Sequence, residues 1–184
     1  EIAMIFQDPM TSLNPTITVG KQLIDTLEAH ESITSKEAIK RSIENMKKVG
    51  IPQPEMRMNT YPHELSGGMR QRIMIAIALS LRPDILIADE PTTALDVTIQ
   101  AQVLKLMNDL QKEMGMSIIL ITHNLGIVVG MATRVAIMYA GKIVELTDTY
   151  TALTKPKHPY CTGLLQCIPT LKKTQTRLIP IKGI

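Results

Sequence analysis

The feature that most constrains this chain is a short apolar run that ends in two adjacent carboxylates. Residues 85–88 read Ile-Leu-Ile-Ala and offer no polar face, and Asp89 and Glu90 follow at once. Such runs are typical of strands in parallel sheets that helices cover on both sides. Two carboxylates at the end of a buried strand are costly unless a cation or several hydrogen-bond donors meet them. The run therefore predicts an α/β sheet with an acidic site at a strand end.

Hydrophobic periodicity along the rest of the chain predicts the elements around this strand. Residues 2–6 and 117–121 read as further buried strands, and residues 135–139 and 142–146 as two strands around a turn at Ala140-Gly141. Helices are predicted over residues 18–31, 35–49 with Ser35 as N-cap, 68–81, 96–114, 125–131, 149–154 and 160–167, with a loop over 50–63 and an extended tail from Pro169. Strands that alternate with helices predict a parallel sheet flanked by helices, whose ligands bind at the carboxyl ends of the strands.

The amino-acid composition is that of a globular protein, with no sign of a nucleic-acid-binding surface, a membrane helix or a disulfide framework. The 184 residues include 45% apolar residues with 12 Met, one Phe and no Trp, which predicts an aliphatic core. The net charge of +3 is spread over 20 basic and 17 acidic side chains, as on a solvated surface rather than a nucleic-acid site. No apolar run reaches the ~18 residues of a membrane helix. Cys161 and Cys167 form neither a disulfide framework nor a CxxC pair, so we expect small buried thiols in a reducing cytosol.

Asp89 and Glu90 are the first candidate site residues. A magnesium nucleotide would satisfy both, because one carboxylate can hold the metal through water while the other polarises an attacking water as general base. The alternative is an acidic turn at a strand end, in which both carboxylates accept hydrogen bonds from nearby backbone amides.

His123 and Gln7 follow two other predicted strands. A neutral imidazole at the position of His123 can contact a transferring phosphoryl group, although an isolated histidine is more often a core residue with its hydrogen bonds satisfied. The amide of Gln7 can reach a metal or a lytic water, and the alternative is a surface amide at a turn.

Ser66, Gly67 and Gly68 precede the helix predicted over residues 68–81. Two glycines let the backbone approach a ligand closely, and the serine can donate its hydroxyl. A helix N-terminus adds free N–H groups and the positive end of the helix dipole, which suit a phosphate. The alternative is an ordinary N-cap with a glycine turn.

These motifs stand in a fixed order, and in that order they resemble the ATP-binding subunits of ABC transporters over essentially the whole chain. The resemblance assigns Gln7 to the Q-loop, Leu65–Met69 to the signature, Asp89 and Glu90 to the Walker B end, Asp96 to the D-loop and His123 to the switch histidine. It implies a P-loop NTPase-like core, in which a parallel sheet flanked by helices carries a helical signature subdomain and lacks the N-terminal Walker A part.

Three segments resemble one subfamily, the dipeptide and oligopeptide importers, with which the nickel importers share much. These are residues 5–15, 65–72 and 158–165. The last residue of the signature is usually glutamine in the wider family, but it is methionine in this subfamily, as Met69 is here. The resemblance implies four segments. They are residues 1–17 with the Q-loop strand and loop, 18–81 with the helical signature subdomain, 82–148 with the Walker B, D-loop and switch core, and 149–184 with the start of a C-terminal extension.

The resemblance also implies a mechanism and partners. ATP and Mg²⁺ are expected, with Asp89 and Gln7 at the metal, Glu90 activating water and His123 stabilising the developing charge. Ser66, Gly67, Gly68 and Asp96 are expected to meet nucleotide held by a second, identical or sibling ATP-binding subunit. Transmembrane permease subunits and, indirectly, an extracytoplasmic solute-binding protein are the other expected partners, with no nucleic acid, at the cytoplasmic face of the membrane. Peptides, nickel and other small solutes all remain possible cargo.

A P-loop of the form Gly-x4-Gly-Lys-Ser/Thr does not occur in these residues. The Gly-Lys pairs, Gly20-Lys21 and Gly141-Lys142, are followed by Gln and Ile. In the family this loop precedes the Q-loop strand, so we expect the chain to be part of a longer sequence, truncated at both ends and inactive alone.

Two other functions are compatible with parts of the pattern. The ATPase head of a DNA-repair protein would carry a long coiled coil between Gln7 and Ser66, which are only 59 positions apart without sustained heptads. A non-catalytic or regulatory partner would not need Glu90 and His123, and both are present.

Overall fold

The computed structural model describes residues 1–93 and 95–166, apart from the side chain of Met10. The chain divides into two compact units, Glu1–His123 and Asn124–Ile184, and each is described by itself. Cys167 and the tail predicted from Pro169 lie outside the described residues. Within the described part of the chain, no helix combines the length and the apolar character that crossing a membrane requires.

The first unit contains the predicted parallel sheet. Its strands are β1 (Ile2–Ile5), β2 (Ile85–Asp89) and β3 (Ser117–Ile121), in that spatial order. Ile5 pairs with Ala88, and Asp89 at the end of β2 pairs with Ile121 at the end of β3. All three strands therefore end at one edge of the sheet, which is where the sequence places the candidate site residues.

One face of this sheet is buried and the other is not. Ile5, Leu86 and Ala88 are almost fully buried on the face where a helix, Gly67–Leu79, packs against β1. Side chains that point the other way are exposed, among them Ile2 at 68% and Ile119 at 52%. The prediction that these strands are buried on both faces is thus wrong for the described residues. An apolar run shows that both faces of a strand can be buried. Whether both faces are buried depends on which other elements pack against the sheet.

Helices make up most of the remainder of the first unit. They are α1 (Pro9–Ser12), α2 (Val19–His30), α3 (Ser35–Lys48), α4 (Pro54–Arg57), α5 (Gly67–Leu79) and α6 (Val97–Met114), with a 3-10 turn at Pro62–Glu64. The long helices match the predicted ones to within two residues, whereas α1, α4 and the 3-10 turn are absent from the prediction. Thr34 rather than Ser35 caps α3, because the Thr34 hydroxyl accepts the Glu37 N–H at 3.3 Å.

An aliphatic core joins α2, α3 and α5, as the composition predicts. Leu23, Leu27, Ala38, Met46, Ile73 and Ile75 are fully buried there. Arg41 of α3 binds both carboxylate oxygens of Glu31 at the end of α2 and donates to the Ser80 carbonyl after α5 at 3.1 Å. One guanidinium in the middle of α3 therefore binds the C-terminal ends of α2 and α5.

The second unit begins with α7 (Leu125–Met131), followed by β4 (Arg134–Tyr139), β5 (Lys142–Asp148), α8 (Thr149–Thr154) and α9 (Pro159–Gln166). The two strands pair antiparallel, as predicted. Ala140 and Gly141 both have positive φ, +48° and +75°, as a two-residue hairpin turn requires.

Glu145 of β5 is a buried carboxylate, 8% exposed, that holds the segment leading into α9. Its oxygens accept the backbone N–H groups of Lys157 and His158 at 3.1–3.2 Å. These bonds, foremost that from His158, and a bond from the Cys161 thiol lower the pKa of Glu145. Burial, with a contribution from Glu145, raises the pKa of the Cys161 thiol to about 11. The expectation of a small buried thiol is confirmed for Cys161.

We expect Glu145→Gln to lower the free energy of unfolding at neutral pH, since the amide replaces one acceptor with a donor that faces backbone N–H groups. The folded state lowers the pKa of Glu145, so its stabilisation is complete above the ordinary value of 4.5 and is lost as pH falls through the folded value. The difference in unfolding free energy between parent and variant should therefore shrink at acid pH. Urea unfolding at pH 7 and pH 3.5 measures it, with exposed Glu44→Gln as control. Equal stability of Glu145→Gln and its parent at pH 7 would contradict the structural role.

Candidate functional site

Three of the predicted site residues meet at one carboxylate, Glu90, at the edge of the sheet where the strands end. Gln7, two residues past β1, donates through Nε2 to Glu90 Oε2 at 2.9 Å. His123, two residues past β3, places Nδ1 at 2.7 Å from Glu90 Oε1. Side chains that are far apart in the sequence, at positions 7, 90 and 123, are thereby brought together by the parallel order of the strands.

The backbone of Glu90, like its side chain, is fixed by hydrogen bonds. Its φ of +43° lies in the left-handed region, which is costly for a residue with a Cβ. Its N–H donates to the Ile121 carbonyl of β3 at 2.9 Å, and its carbonyl accepts the Thr93 N–H at 3.1 Å. The second bond closes a four-residue turn with Pro91 in its second position, where proline is favoured.

The donors around Glu90 keep its carboxylate ionised. His123, then the Thr93 hydroxyl at 2.8 Å and, more weakly, Gln7 lower the pKa of Glu90 below its ordinary value. The Glu90 side chain is 20% exposed and that of His123 is 77% exposed. Because an ionised carboxylate only accepts hydrogen bonds, Nδ1 of His123 carries the proton in this contact, and a neutral ring then leaves Nε2 as an acceptor.

Asp89, the last residue of β2, lies beside this cluster and is free to meet a cation. Its carboxylate is partly exposed and forms neither an ion pair nor a side-chain hydrogen bond with the described residues. In the same part of the chain, no three His, Cys, Asp or Glu side chains are grouped as a metal site. Mg²⁺ is commonly bound by one or two carboxylates together with waters and substrate phosphates. Asp89 and the amide oxygen of Gln7 are oxygen donors of the kind that this mode of binding uses.

The predicted signature residues form the N-terminus of α5. Ser66 is the N-cap, and its exposed hydroxyl accepts the Met69 N–H at 3.3 Å. The first N–H groups of a helix have no partner within it, so this end of α5 can accept an anion. Ser66 therefore caps α5, which is the alternative that the sequence leaves open. The cap uses the Ser66 oxygen as an acceptor, so the hydroxyl proton is still available to donate.

Gly68 has a packing role that the sequence does not reveal. A Cβ at Gly68 would lie 2.7 Å from Ile99 Cγ2 of α6, whereas a Cβ at Gly67 would meet only Leu95 Cδ2 at 3.6 Å. Asp96 caps α6 by accepting the Ile99 N–H at 3.0 Å. The N-termini of α5 and α6 therefore pack side by side, and a residue larger than glycine at position 68 would have to displace the Ile99 side chain.

We expect Gly68→Ala to lower the unfolding free energy by about 1 kcal/mol, since overpacking costs about 1–3 kcal/mol and the gain in helix propensity returns part of it. Gly67→Ala, which has room, should stay within about 0.5 kcal/mol of the parent. In an Ile99→Ala background the Gly68→Ala substitution should become neutral or stabilising. Chemical denaturation of the four variants measures this, and an equal cost of Gly68→Ala in both backgrounds would contradict the contact.

Thr93 is a site residue to which no motif in the sequence points. The available signal is Pro91 directly after Glu90, because proline in the second position of a turn brings the first and fourth residues together. That turn places the Thr93 hydroxyl on the carboxylate of Glu90.

Comparison with protein families gives two matches. A family model described as "ABC transporter" matches residues 1–93, half of the chain. A second model, described as "Oligopeptide/dipeptide transporter, C-terminal region", matches residues 144–184.

Curated relatives match the chain over its whole length. The oligopeptide transport ATP-binding protein OppD of Bacillus subtilis is 60% identical over 184 residues, which are 100% of this chain and 51% of the relative. The dipeptide transport ATP-binding proteins DppD of Haemophilus influenzae and Escherichia coli are 53% and 48% identical, again over all of this chain and over 56% of each relative. The chain thus spans about half the length of the curated relatives it matches.

Two solved structures share the fold. One is a dimeric post-hydrolysis state of the ATP-binding cassette MJ0796 bound to ADP and Pi, with a TM-score of 0.69 and 26% identity over 81% of this chain and 63% of the other. The other is cbiO1 of Clostridium perfringens, part of the ABC transporter complex cbiONQ, with a TM-score of 0.72 and 29% identity over 89% of this chain and 63% of the other. Both likenesses fit the predicted α/β class with a parallel sheet flanked by helices.

Proposed function

The chain belongs to the ABC transporter family, and on that premise we propose that it is part of an ATP-hydrolysing subunit that powers the import of peptides. The observation that carries the proposal is the ionised carboxylate of Glu90, held by Gln7 and His123 at the edge of the sheet where the strands end. The 48–60% identity to oligopeptide and dipeptide transport proteins, together with the second family match, supports peptides as the cargo.

In the proposed reaction Glu90 acts as the general base. It removes a proton from a water molecule, whose oxygen bonds to the γ-phosphorus of ATP while the bond from that phosphorus to the β–γ bridging oxygen breaks. The products are ADP and inorganic phosphate. The His123 imidazole lies next to the same carboxylate and can stabilise charge that develops on the transferred group. Mg²⁺, held through Asp89 and the amide oxygen of Gln7, would neutralise phosphate charge.

We further propose that the second half of the site comes from another ATP-binding subunit. Ser66 and Gly67 present an exposed hydroxyl and the N-terminus of α5, both suited to the γ-phosphate of nucleotide bound by that partner. Gly68 and Asp96 lie where this helix end packs against α6, and we propose that they meet the same nucleotide. The 184 residues contain no Gly-x4-Gly-Lys-Ser/Thr to anchor phosphates, so by themselves they are proposed to be inactive.

The remaining partners follow from the family. We propose that residues 18–81, the helical signature subdomain, contact transmembrane permease subunits at the cytoplasmic face of the membrane, and that a solute-binding protein selects the cargo. Residues 1–17, 82–148 and 149–184 keep their proposed roles as Q-loop segment, catalytic core and C-terminal extension. A non-catalytic regulatory subunit is the weaker alternative, because such a subunit has no need for the three donors on Glu90.

A chimeric subunit tests the proposal. We define the OppD chimera as Bacillus subtilis OppD in which this chain replaces the matching 184 residues. In cells that lack OppD, the chimera should restore oligopeptide uptake, and the purified transporter should hydrolyse ATP with Mg²⁺. An OppD chimera that assembles with the permease subunits yet hydrolyses no ATP would refute the proposed function.

A further inference from the structure

The two oxygens of Glu90 are not equivalent. Oε2 accepts two hydrogen bonds, from Gln7 Nε2 at 2.9 Å and from Thr93 Oγ1 at 2.8 Å. Oε1 accepts one, from His123 Nδ1 at 2.7 Å. An ionised carboxylate offers about four acceptor positions, two on each oxygen. Oε2 is therefore fully occupied, and one position remains, on Oε1.

We infer that Thr93 is a positioning residue for hydrolysis, and that it directs the attacking water to the open position on Oε1 of Glu90. The inference rests on the proposed function and specifies the atom that takes the proton. One O–H bond of the water breaks, its proton moves to Oε1, and its oxygen forms the new bond to phosphorus. The three existing donors stay in place during the transfer.

Thr93 suits this role because it belongs to the same turn as Glu90. The Thr93 N–H to Glu90 carbonyl bond and the hydroxyl contact fix the backbone and the side chain of the base together. Gln7 and His123 reach Glu90 from segments that follow other strands, so motion of either segment would remove its donor. Among the described donors to this carboxylate, only the Thr93 hydroxyl would keep its hydrogen bond to Glu90 during such motion.

Loss of the Thr93 hydroxyl would open a second acceptor position on Oε2. A water bound there lies on the wrong oxygen, and the carboxylate loses one of the bonds that fix its rotation. Misplacement of a general base lowers the rate of the chemical step without weakening the binding of substrate. Thr93 also contributes to the lowered pKa of Glu90, which is consistent with a donor to the ionised form.

The test compares Thr93→Val and Thr93→Ser in the OppD chimera. One charge-assisted hydrogen bond corresponds to a factor of roughly 10–100, so kcat of Thr93→Val should fall by at least about tenfold. KM for ATP should stay within about twofold, and Thr93→Ser, which keeps the hydroxyl, should recover most of the rate. Exposed Thr98→Val removes a hydroxyl that is not a donor to Glu90 and should leave kcat unchanged.

A double substitution separates positioning from a general effect on folding. In a Glu90→Gln background, where no base remains to be positioned, Thr93→Val should change the residual single-turnover rate by less than about twofold. The inference is overturned if Thr93→Val costs the same factor with and without Glu90, if it raises KM and spares kcat, or if Thr93→Ser is as slow as Thr93→Val. Should valine lower the melting temperature, Thr93→Ala replaces it in the same comparisons. An active OppD chimera that Glu90→Gln impairs, but Thr93→Val does not, would overturn this inference alone.

Discussion

The Glu90→Gln variant of the OppD chimera is expected to hydrolyse ATP at least about 100-fold more slowly than its parent, because general-base catalysis typically contributes factors of 10²–10⁴. Glutamine has the same length and can adopt the same left-handed backbone, but it has no basic oxygen to take a proton, and its amide NH2 replaces one of the two oxygens that accept hydrogen bonds from Gln7, Thr93 and His123. The lowered pKa of Glu90 means that the parent holds the base form at neutral and alkaline pH. Glutamine cannot ionise, so raising the pH should not restore the rate of the variant.

Binding and chemistry can be separated in the same experiment. ATP affinity of Glu90→Gln should stay within a few-fold of the parent, since Asp89 and the signature residues are untouched. Glu44→Gln, on the exposed surface of α3, makes the same chemical change outside the cluster and should leave kcat unaltered. Hydrolysis by Glu90→Gln at the parental rate would remove Glu90 from the mechanism.

Gly20→Ala is expected to be the most destabilising of the glycine substitutions considered, at about 3 kcal/mol, the upper part of the range for overpacking. A Cβ at Gly20 would lie 2.5 Å from the carbonyl oxygen of Met58 and 2.8 Å from its Cα. These are backbone atoms, so no side-chain rotation relieves the clash. The Gly20 N–H also donates to that carbonyl at 3.1 Å, and this bond holds the start of α2 against the residue that follows α4.

Gly130→Ala supplies the matched control in this chain. Gly130 lies in α7, and a Cβ there would meet no atom within 4 Å. Alanine should therefore be neutral or stabilise by up to about 1 kcal/mol through helix propensity. Urea denaturation at pH 7 compares both variants with the parent. Equal unfolding free energies for Gly20→Ala and the parent would show that α2 does not pack against Met58 as described.

The parallel sheet of the first unit could be predicted because its strands are short apolar runs that alternate with long amphipathic helices. The predicted bounds are close for the same reason, since α6 and β3 end where their apolar pattern ends. The smaller helices could not be predicted in this way. Gln53 enters α4 with a φ of +50°, and a proline-rich stretch that reads as a loop then forms one helical turn.

The candidate site was partly predictable. Polar residues that follow parallel strands meet at one edge, so the sequence places Gln7, Glu90 and His123 near one another before any distances are known. It does not say that both oxygens of Glu90 are engaged, because that depends on the left-handed turn at residues 90–93. The sequence also does not show that Gly68 is in a tighter place than Gly67, because the contact of Gly68 with Ile99 arises only when α5 and α6 pack together.

A crystal structure of the Glu90→Gln OppD chimera with bound ATP and Mg²⁺ tests the central claim most directly. We predict that side chain 90 lies within hydrogen-bond distance, about 3 Å, of a water in line with the γ-phosphate, on the side next to His123, and that Asp89 faces the metal. A γ-phosphate bound far from residue 90, with no water between them, would contradict the claim that this carboxylate is the base for ATP hydrolysis.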